Sequence, residues 1–168
     1  MERLVGAAQR TLPRLHSLLT QLPTHDLPPL LLDVGCGVYA ASVTMRTALP
    51  GWELYGIDLD SNALRRARHL DPELRLVRAD ARSLPGLLHT HFGLILVRHP
   101  DLYLHPTPWQ QILMTLPHLL APAGFLIITL YAPEEIEMIE RLGLPPRYPD
   151  MLAPTDLAGQ DRFVLVYR

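Results

Sequence analysis

Leu31-Leu32-Asp33-Val34-Gly35-Cys36-Gly37-Val38-Tyr39-Ala40-Ala41-Ser42 is the stretch that decides how this chain is read. An apolar run ends in an acid, crosses two glycines one residue apart and leads into a helix-like segment. A parallel α/β sheet prepares a nucleotide-type ligand site in this way, at the end of its first strand. The glycines let the backbone turn sharply and approach a ligand closely. The acid ahead of them bears on the charge of that ligand.

Working outward, apolar segments alternate with helix-like ones. Leu30 to Val34 reads as a strand, Tyr39 to Leu49 as a helix closed by Pro50-Gly51, and Trp52 to Ile57 as a second strand. Ser61 to Leu70 reads as a helix and Leu74 to Arg78 as a third strand, followed by a short crossover from Leu84 to His91. Phe92 to Val97 is a strongly apolar fourth strand. Thr107-Pro108-Trp109-Gln110 predicts a capped helix start, running to about Leu120 with a kink at Pro117. Ala123-Gly124 turns into a fifth strand, Phe125 to Tyr131, and Pro133-Glu134-Glu135 opens another helix. Arg162 to Tyr167 is a final strand; Arg147 to Leu152 is left open as a further one. Upstream, residues 2 to 21 carry leucines at near-helical spacing, with Pro13 set to kink or split that helix.

Strands alternating with helices imply right-handed crossovers and a parallel sheet covered on both faces, which is why its strands are almost wholly apolar. The expectation is an α/β fold: a three-layer doubly wound sandwich around a mostly parallel sheet of six or seven strands, with an N-terminal helix. Residues 1–168 read as one domain, with 1–28 a helical cap and connector and 29–168 the α/β core.

Composition bounds the setting. The chain has 168 residues, 48% of them hydrophobic, enough for a sizeable core. Met1 to Gln21 carries charges and has no continuous apolar block, so no signal peptide is read there. The lone Cys36 excludes an intrachain disulfide, and no apolar run reaches membrane-span length. A soluble cytoplasmic domain without membrane partners is expected. A net charge of −2 does not advertise nucleic-acid binding. Arg65, Arg66, Arg68, Arg75, Arg78 and Arg82 form a basic stretch, but Asp71, Glu73 and Asp80 interleave with it, so a solvated, partly ion-paired face is the better reading. Oligomeric state is left open.

Ligands of such sheets bind outside the carboxyl ends of the strands. Asp33, Gly35 and Gly37 follow the first strand, Asp58 the second and Asp80 the third, so three successive strands deliver a carboxylate to one edge. Asp58 lies roughly 20 residues beyond the turn, the interval suited to ribose hydroxyls. Asp33 opposes an anionic pyrophosphate on the helix end and suits a ligand carrying ammonium and sulfonium charge. Asp80, with the Ala81 amide beside it, offers partners for an adenine amino group. Cationic amino acid, ribose and adenine together describe S-adenosylmethionine.

The chain resembles the class I (Rossmann-like) S-adenosylmethionine-dependent methyltransferases. Leu32-Asp33-Val34-Gly35-Cys36-Gly37 is similar to the family's first motif, Gly56-Ile57-Asp58-Leu59 to its ribose-binding acid, and Arg78-Ala79-Asp80-Ala81 to its adenine motif. Phe92-Gly93-Leu94-Ile95-Leu96-Val97 and Leu119-Leu120-Ala121-Pro122-Ala123-Gly124-Phe125 resemble its fourth-strand and pre-fifth-strand motifs. The resemblance implies a methyltransferase using S-adenosylmethionine and releasing S-adenosylhomocysteine, with a small-molecule acceptor favoured. It implies cofactor contacts at Asp33, Gly35, Cys36, Gly37, Asp58, Leu59, Asp80, Ala81 and Arg98. In-line methyl transfer draws mainly on proximity and orientation, and a base is needed only for an acceptor that must lose a proton. His99, Asp101 and Tyr103, just after the fourth strand, are the candidates, while Arg98 is also placed to hold an acidic substrate.

Two departures matter. Tyr39 stands where the family carries a third glycine, so its ring must point away from the cofactor or wall its pocket; otherwise it blocks it. Pro122-Ala123-Gly124 replaces Pro-Gly-Gly. Tyr39, the short chain and the absence of a catalytic signature motivate an alternative: a non-catalytic, cofactor-binding methyltransferase-like protein with a regulatory or scaffolding role. A nicotinamide oxidoreductase is the third reading, suggested by Gly35-x-Gly37-x-x-Ala40 and opposed by Asp33. His89-Thr90-His91 has metal-like spacing but falls at the opposite sheet edge, and no metal is expected. Cys36, near a helix start, is a candidate for a lowered pKa, and reads more simply as filling a variable position in the glycine turn.

Overall fold

The computed structural model describes residues 13–39, 41–148 and 163–168. Helix α1 covers residues 13–21 of those described. There follow β1 (Leu30–Val34), α2 (Ser42–Ala48), β2 (Glu53–Asp58), α3 (Ser61–Leu70), β3 (Arg75–Arg78), α4 (Leu84–Leu87), β4 (Phe92–Arg98), α5 (Pro106–Thr115), β5 (Leu120–Leu130), α6 (Pro133–Glu140) and β6 (Phe163–Tyr167). The sheet runs β3-β2-β1-β4-β5-β6. Its first five strands pair in parallel, and β6 is antiparallel to β5. Strand order reverses between β1 and β4, which opens the crevice where such sheets hold ligands.

Alternation along the strands sends side chains to two cores. Leu31, Leu54, Leu94, Leu96, Phe125 and Ile127 meet α1, α2 and α3 through Leu19, Met45 and Leu64. Leu32, Ile57, Ile95, Val97, Leu126 and Ile128 meet α4, α5 and α6 through Leu84, Leu113 and Ile139. Each fully buried side chain of this kind contributes about 1.5–3 kcal/mol. A register irregularity between Phe92 and Leu94 breaks the alternation, so Phe92 joins the second core although Leu94 joins the first.

Several boundaries differ from the sequence reading. Helix α2 starts at Ser42 rather than Tyr39, because Tyr39 has φ 51° and cannot be a helical residue. Helix α5 starts at Pro106 with His105 at its N-cap, two residues before the expected Thr107 cap, and no side-chain cap bond forms. The cause is that Pro106, no less than Pro108, is pre-set for the first helical position. The helix gives way at Thr115 to a 3-10 turn, Leu116–Leu119, one residue ahead of Pro117. Strand β5 begins at Leu120, through pairing with Phe92, and crosses Ala123 at φ 64°. The crossover after β3 contains a 3-10 turn, Ala81–Ser83, as well as α4. Arg147 forms an antiparallel bridge to Tyr167; the expectations for 2–12, 149–152 and Arg162 lie outside the described residues.

Candidate cofactor and acceptor site

The turn after β1 is stitched to the end of β2. The Gly35 and Cys36 amides both donate to the Ile57 carbonyl, at 2.9 and 3.1 Å. Gly35 (φ 72°) and Gly37 (φ 55°) occupy the left-handed region, and Tyr39 (φ 51°) follows them there. For a residue with a Cβ that conformation costs about 1–2 kcal/mol. Burial offsets it: Tyr39 is 0% exposed, and its hydroxyl donates to the Tyr55 carbonyl at 3.2 Å. A Cβ on Gly56 would lie 2.8 Å from both the Tyr39 ring and Cys36 Sγ, so the missing side chain of Gly56 makes room for them. The ring therefore packs in the core with α2 and α3, away from the crevice. Burial pushes its phenol well up, keeping it a neutral donor.

The acids occupy one edge. Asp33 pairs in register with Gly56 of β2 and Leu96 of β4. Asp58 and Arg98 lie one alternation step beyond those partners, and Thr129 is the register partner of Arg98 on β5. Asp58, Asp33, Arg98 and Thr129 thus share one face across four strands, the face covered by α1, α2 and α3, with Asp33 one alternation step behind the other three. Asp33 is 0% exposed, and Arg98 is half-buried. The Asp58 carboxylate accepts from the Gly37 amide (2.8 Å) and the Asp60 amide (2.8 Å), leaving lone pairs for further donors. Asp80 caps the 3-10 turn by accepting from the Arg82 amide (2.9 Å), and the Arg82 guanidinium holds its carboxyl below the usual range. Leu59 is exposed beside Asp58, and Ala81 is half-buried. Cys36 is not an activated thiol: burial pushes it far up, and the charged Asp33 and Asp58 nearby add to the rise.

The β4–α5 loop closes the crevice. His99 has φ 53°, its amide donates to the Thr129 carbonyl at 3.0 Å, and its ring stacks on Tyr131 with centroids 3.9 Å apart. The Tyr131 and Ala132 amides both donate to buried Glu135, at 2.7 and 2.9 Å. Asp101 accepts from the Leu104 amide at 3.0 Å and shapes the loop, while Tyr103 stands 59% exposed at its rim. The structure therefore sets Asp33, Asp58 and Arg98 on one sheet face, on three adjacent strands, but leaves Asp101 and Tyr103 in the loop beyond it. Trp109, Thr129 and Tyr131 were not singled out by sequence. Trp109 of α5 lies over the turn, 3.4 Å from where a Gly35 Cβ would be, and only the folded chain brings the three to this edge. Among the described residues no three His, Cys, Asp or Glu side chains gather as a metal site, and His89 and His91 are exposed. The basic stretch is ion-paired in part, Arg75 with Glu53 and Arg82 with Asp80.

The sequence pattern of the family described as "Methyltransferase domain" matches residues 31–124, more than half of the chain. The chain belongs to this methyltransferase domain family. No curated protein matches it. Among solved structures it is similar to a TehB-like SAM-dependent methyltransferase from Corynebacterium glutamicum, at 21% identity over 95% of this chain and 92% of that one, with a TM-score of 0.65. It is also similar to SAM-bound CalS10 from Micromonospora echinaspora, an amino pentose methyltransferase, at 28% identity over 76% of this chain and 51% of that one, TM-score 0.58. TrmN from Thermus thermophilus matches at 25% identity over 80% of this chain and 41% of that one, TM-score 0.65. The chain thus spans about half the length of the latter two. The family match includes Asp33, Asp58, Asp80 and the β4 loop, and this methyltransferase domain carries Thr129 and Tyr131 beyond it. No helix among the described residues is long and apolar enough to cross a membrane.

Proposed function

We propose that the chain binds S-adenosylmethionine at the carboxyl ends of β1, β2 and β3 and catalyses methyl transfer to a small-molecule acceptor. The observation that carries this reading is the placing of buried Asp33 and half-buried Asp58 on one sheet face, on the adjacent strands β1 and β2 beside the Gly35–Gly37 turn. Two carboxylates there repel pyrophosphate and complement an ammonium group and ribose hydroxyls. When bound, the cofactor supplies a methyl group already activated by positive sulfur. Asp58 accepts from the ribose with its remaining lone pairs, Asp33 holds the amino group, and Asp80 with the Ala81 amide reads the adenine edge. With the Tyr39 ring packed in the core, nothing from that residue blocks the turn.

The chain's own residues orient the acceptor and exclude water, effects large enough to carry an in-line displacement. His99, held by its stack on Tyr131, takes a proton from an acceptor that must lose one. Tyr103, its phenol pushed up by desolvation and by Glu135 and Glu134, stays protonated and donates a hydrogen bond at the rim. Asp101 keeps the loop in shape. CalS10, which acts on an amino pentose, supports a small polar acceptor.

Calorimetry and thermal shift test the reading. S-adenosylhomocysteine is expected to raise Tm and NAD to leave it unchanged, with Asp58→Ala weakening the first about tenfold or more. Stabilisation by NAD alone would overturn the proposal. Binding without transfer of labelled methyl to any extract component would leave a cofactor-binding protein without catalysis.

A further inference from the structure

Arg98 and Thr129 are register partners on adjacent strands, on the same face as Asp33. The Arg98 Nε and the Thr129 hydroxyl are both buried, and neither has a hydrogen-bond partner among the described residues. Thr129 is 2% exposed. A native core seldom leaves such groups unmade, since each costs about 1–3 kcal/mol. Two donors side by side, one of them part of a cation, fit a planar anion that accepts from both. Asp33 lies on the neighbouring strand, so an ammonium group and a carboxylate would be met by adjacent strands about 4.8 Å apart.

We propose that Arg98 and Thr129 form a carboxylate subsite, filled either by the amino-acid end of the cofactor or by an acidic acceptor. The inference rests on the cofactor reading given above. Arg98 donates through Nε–H and Thr129 through its hydroxyl, so the group is read by direction as well as by charge. The span from Asp58 on β2 to Thr129 on β5 is three strand spacings, about 14 Å, which admits both sources.

The test is calorimetry on the full chain with S-adenosylhomocysteine, with 5′-methylthioadenosine, which lacks the amino-acid end, and with acetate added to the S-adenosylhomocysteine complex. If the cofactor fills the subsite, Arg98→Met weakens S-adenosylhomocysteine about tenfold or more and leaves 5′-methylthioadenosine unchanged. If the acceptor fills it, S-adenosylhomocysteine binding is unchanged and saturable acetate binding is lost. Wild-type affinities for all three ligands in Arg98→Met would overturn the subsite. Arg98→Lys keeps the charge without Nε–H and is expected to recover the affinity only in part; full recovery would overturn the Nε assignment. Thr129→Val carries the test if Arg98 variants fail to fold. It removes a hydroxyl without a partner, so Tm should hold or rise while carboxylate affinity falls several-fold. A fall in Tm with unchanged affinity would assign the hydroxyl a structural role and overturn its part in the subsite. Wild-type protein that binds neither adenosyl ligand would overturn the cofactor reading and the subsite with it.

Discussion

At the scale of single residues, Tyr39 shows how a departure from a motif can be absorbed. The family's glycine is replaced by a residue that keeps the left-handed backbone, and its ring moves into the space left by Gly56. Tyr39→Gly, which restores the family residue, is therefore expected to destabilise the chain by about 2–4 kcal/mol, because the cavity outweighs the relieved backbone. Urea denaturation checks this, and unchanged or increased stability would refute it. Asp33, Asp58 and the glycine turn were legible in the sequence because their spacing is local to one strand–helix–strand unit, β1 to β2. The direction of the Tyr39 ring was not, since it depends on Gly56 in another strand. The environment of the Cys36 thiol was not legible for a similar reason: the fold buries it, and Asp33 and Asp58 add to that through space.

Among elements, the strands are legible, and so are the starts of α3 at Ser61 and α6 at Pro133, whereas α2 and α5 start away from the positions their sequence suggests. Near-continuous apolar runs mark strands buried on both faces, and over the described residues five of the six strands match their expected bounds to within a residue, while β5 starts five residues earlier, at Leu120. The Thr107 cap failed because several prolines in one loop all favour a first helical turn, and local rules do not choose among them. Helix α6 has a firmer start, as buried Glu135 reaches back to the Tyr131 and Ala132 amides. Removing that carboxylate leaves two amides unpaired and loosens the base of the His99–Tyr131 stack. Glu135→Ala is expected to cost about 2–3 kcal/mol in chemical denaturation and to broaden the His99 and Tyr131 ring signals in NMR. Sharp, unshifted ring signals would show that the stack does not depend on this anchor.

For the whole molecule, stability on the acid side is tied to the contact between α2 and the segment after α3. Arg46 grips Asp71 with two bonds, at 2.8 and 3.1 Å, and the guanidinium holds the mostly buried carboxyl below its ordinary value. A folded-state pKa below the unfolded one means stability fully present above the unfolded value, about 3.9, and lost as pH falls through the lower folded value. Melting temperature should therefore fall below about pH 4, and Asp71→Asn should flatten that fall while lowering Tm at neutral pH. An unchanged acid limb in Asp71→Asn would refute the assignment. Long-range order of this kind, like the face shared from Asp58 to Thr129, exists only once distant strands have paired, which is why sequence named some of its members without their arrangement. Cys36 gives that order a readout. The chain's one thiol is 3% exposed inside the turn that holds the candidate ligand site, so a thiol reagent gains it only when the turn opens. Its labelling rate in native buffer clocks those openings, and any ligand seated on the turn slows the clock in proportion to its occupancy, with no probe added to the protein.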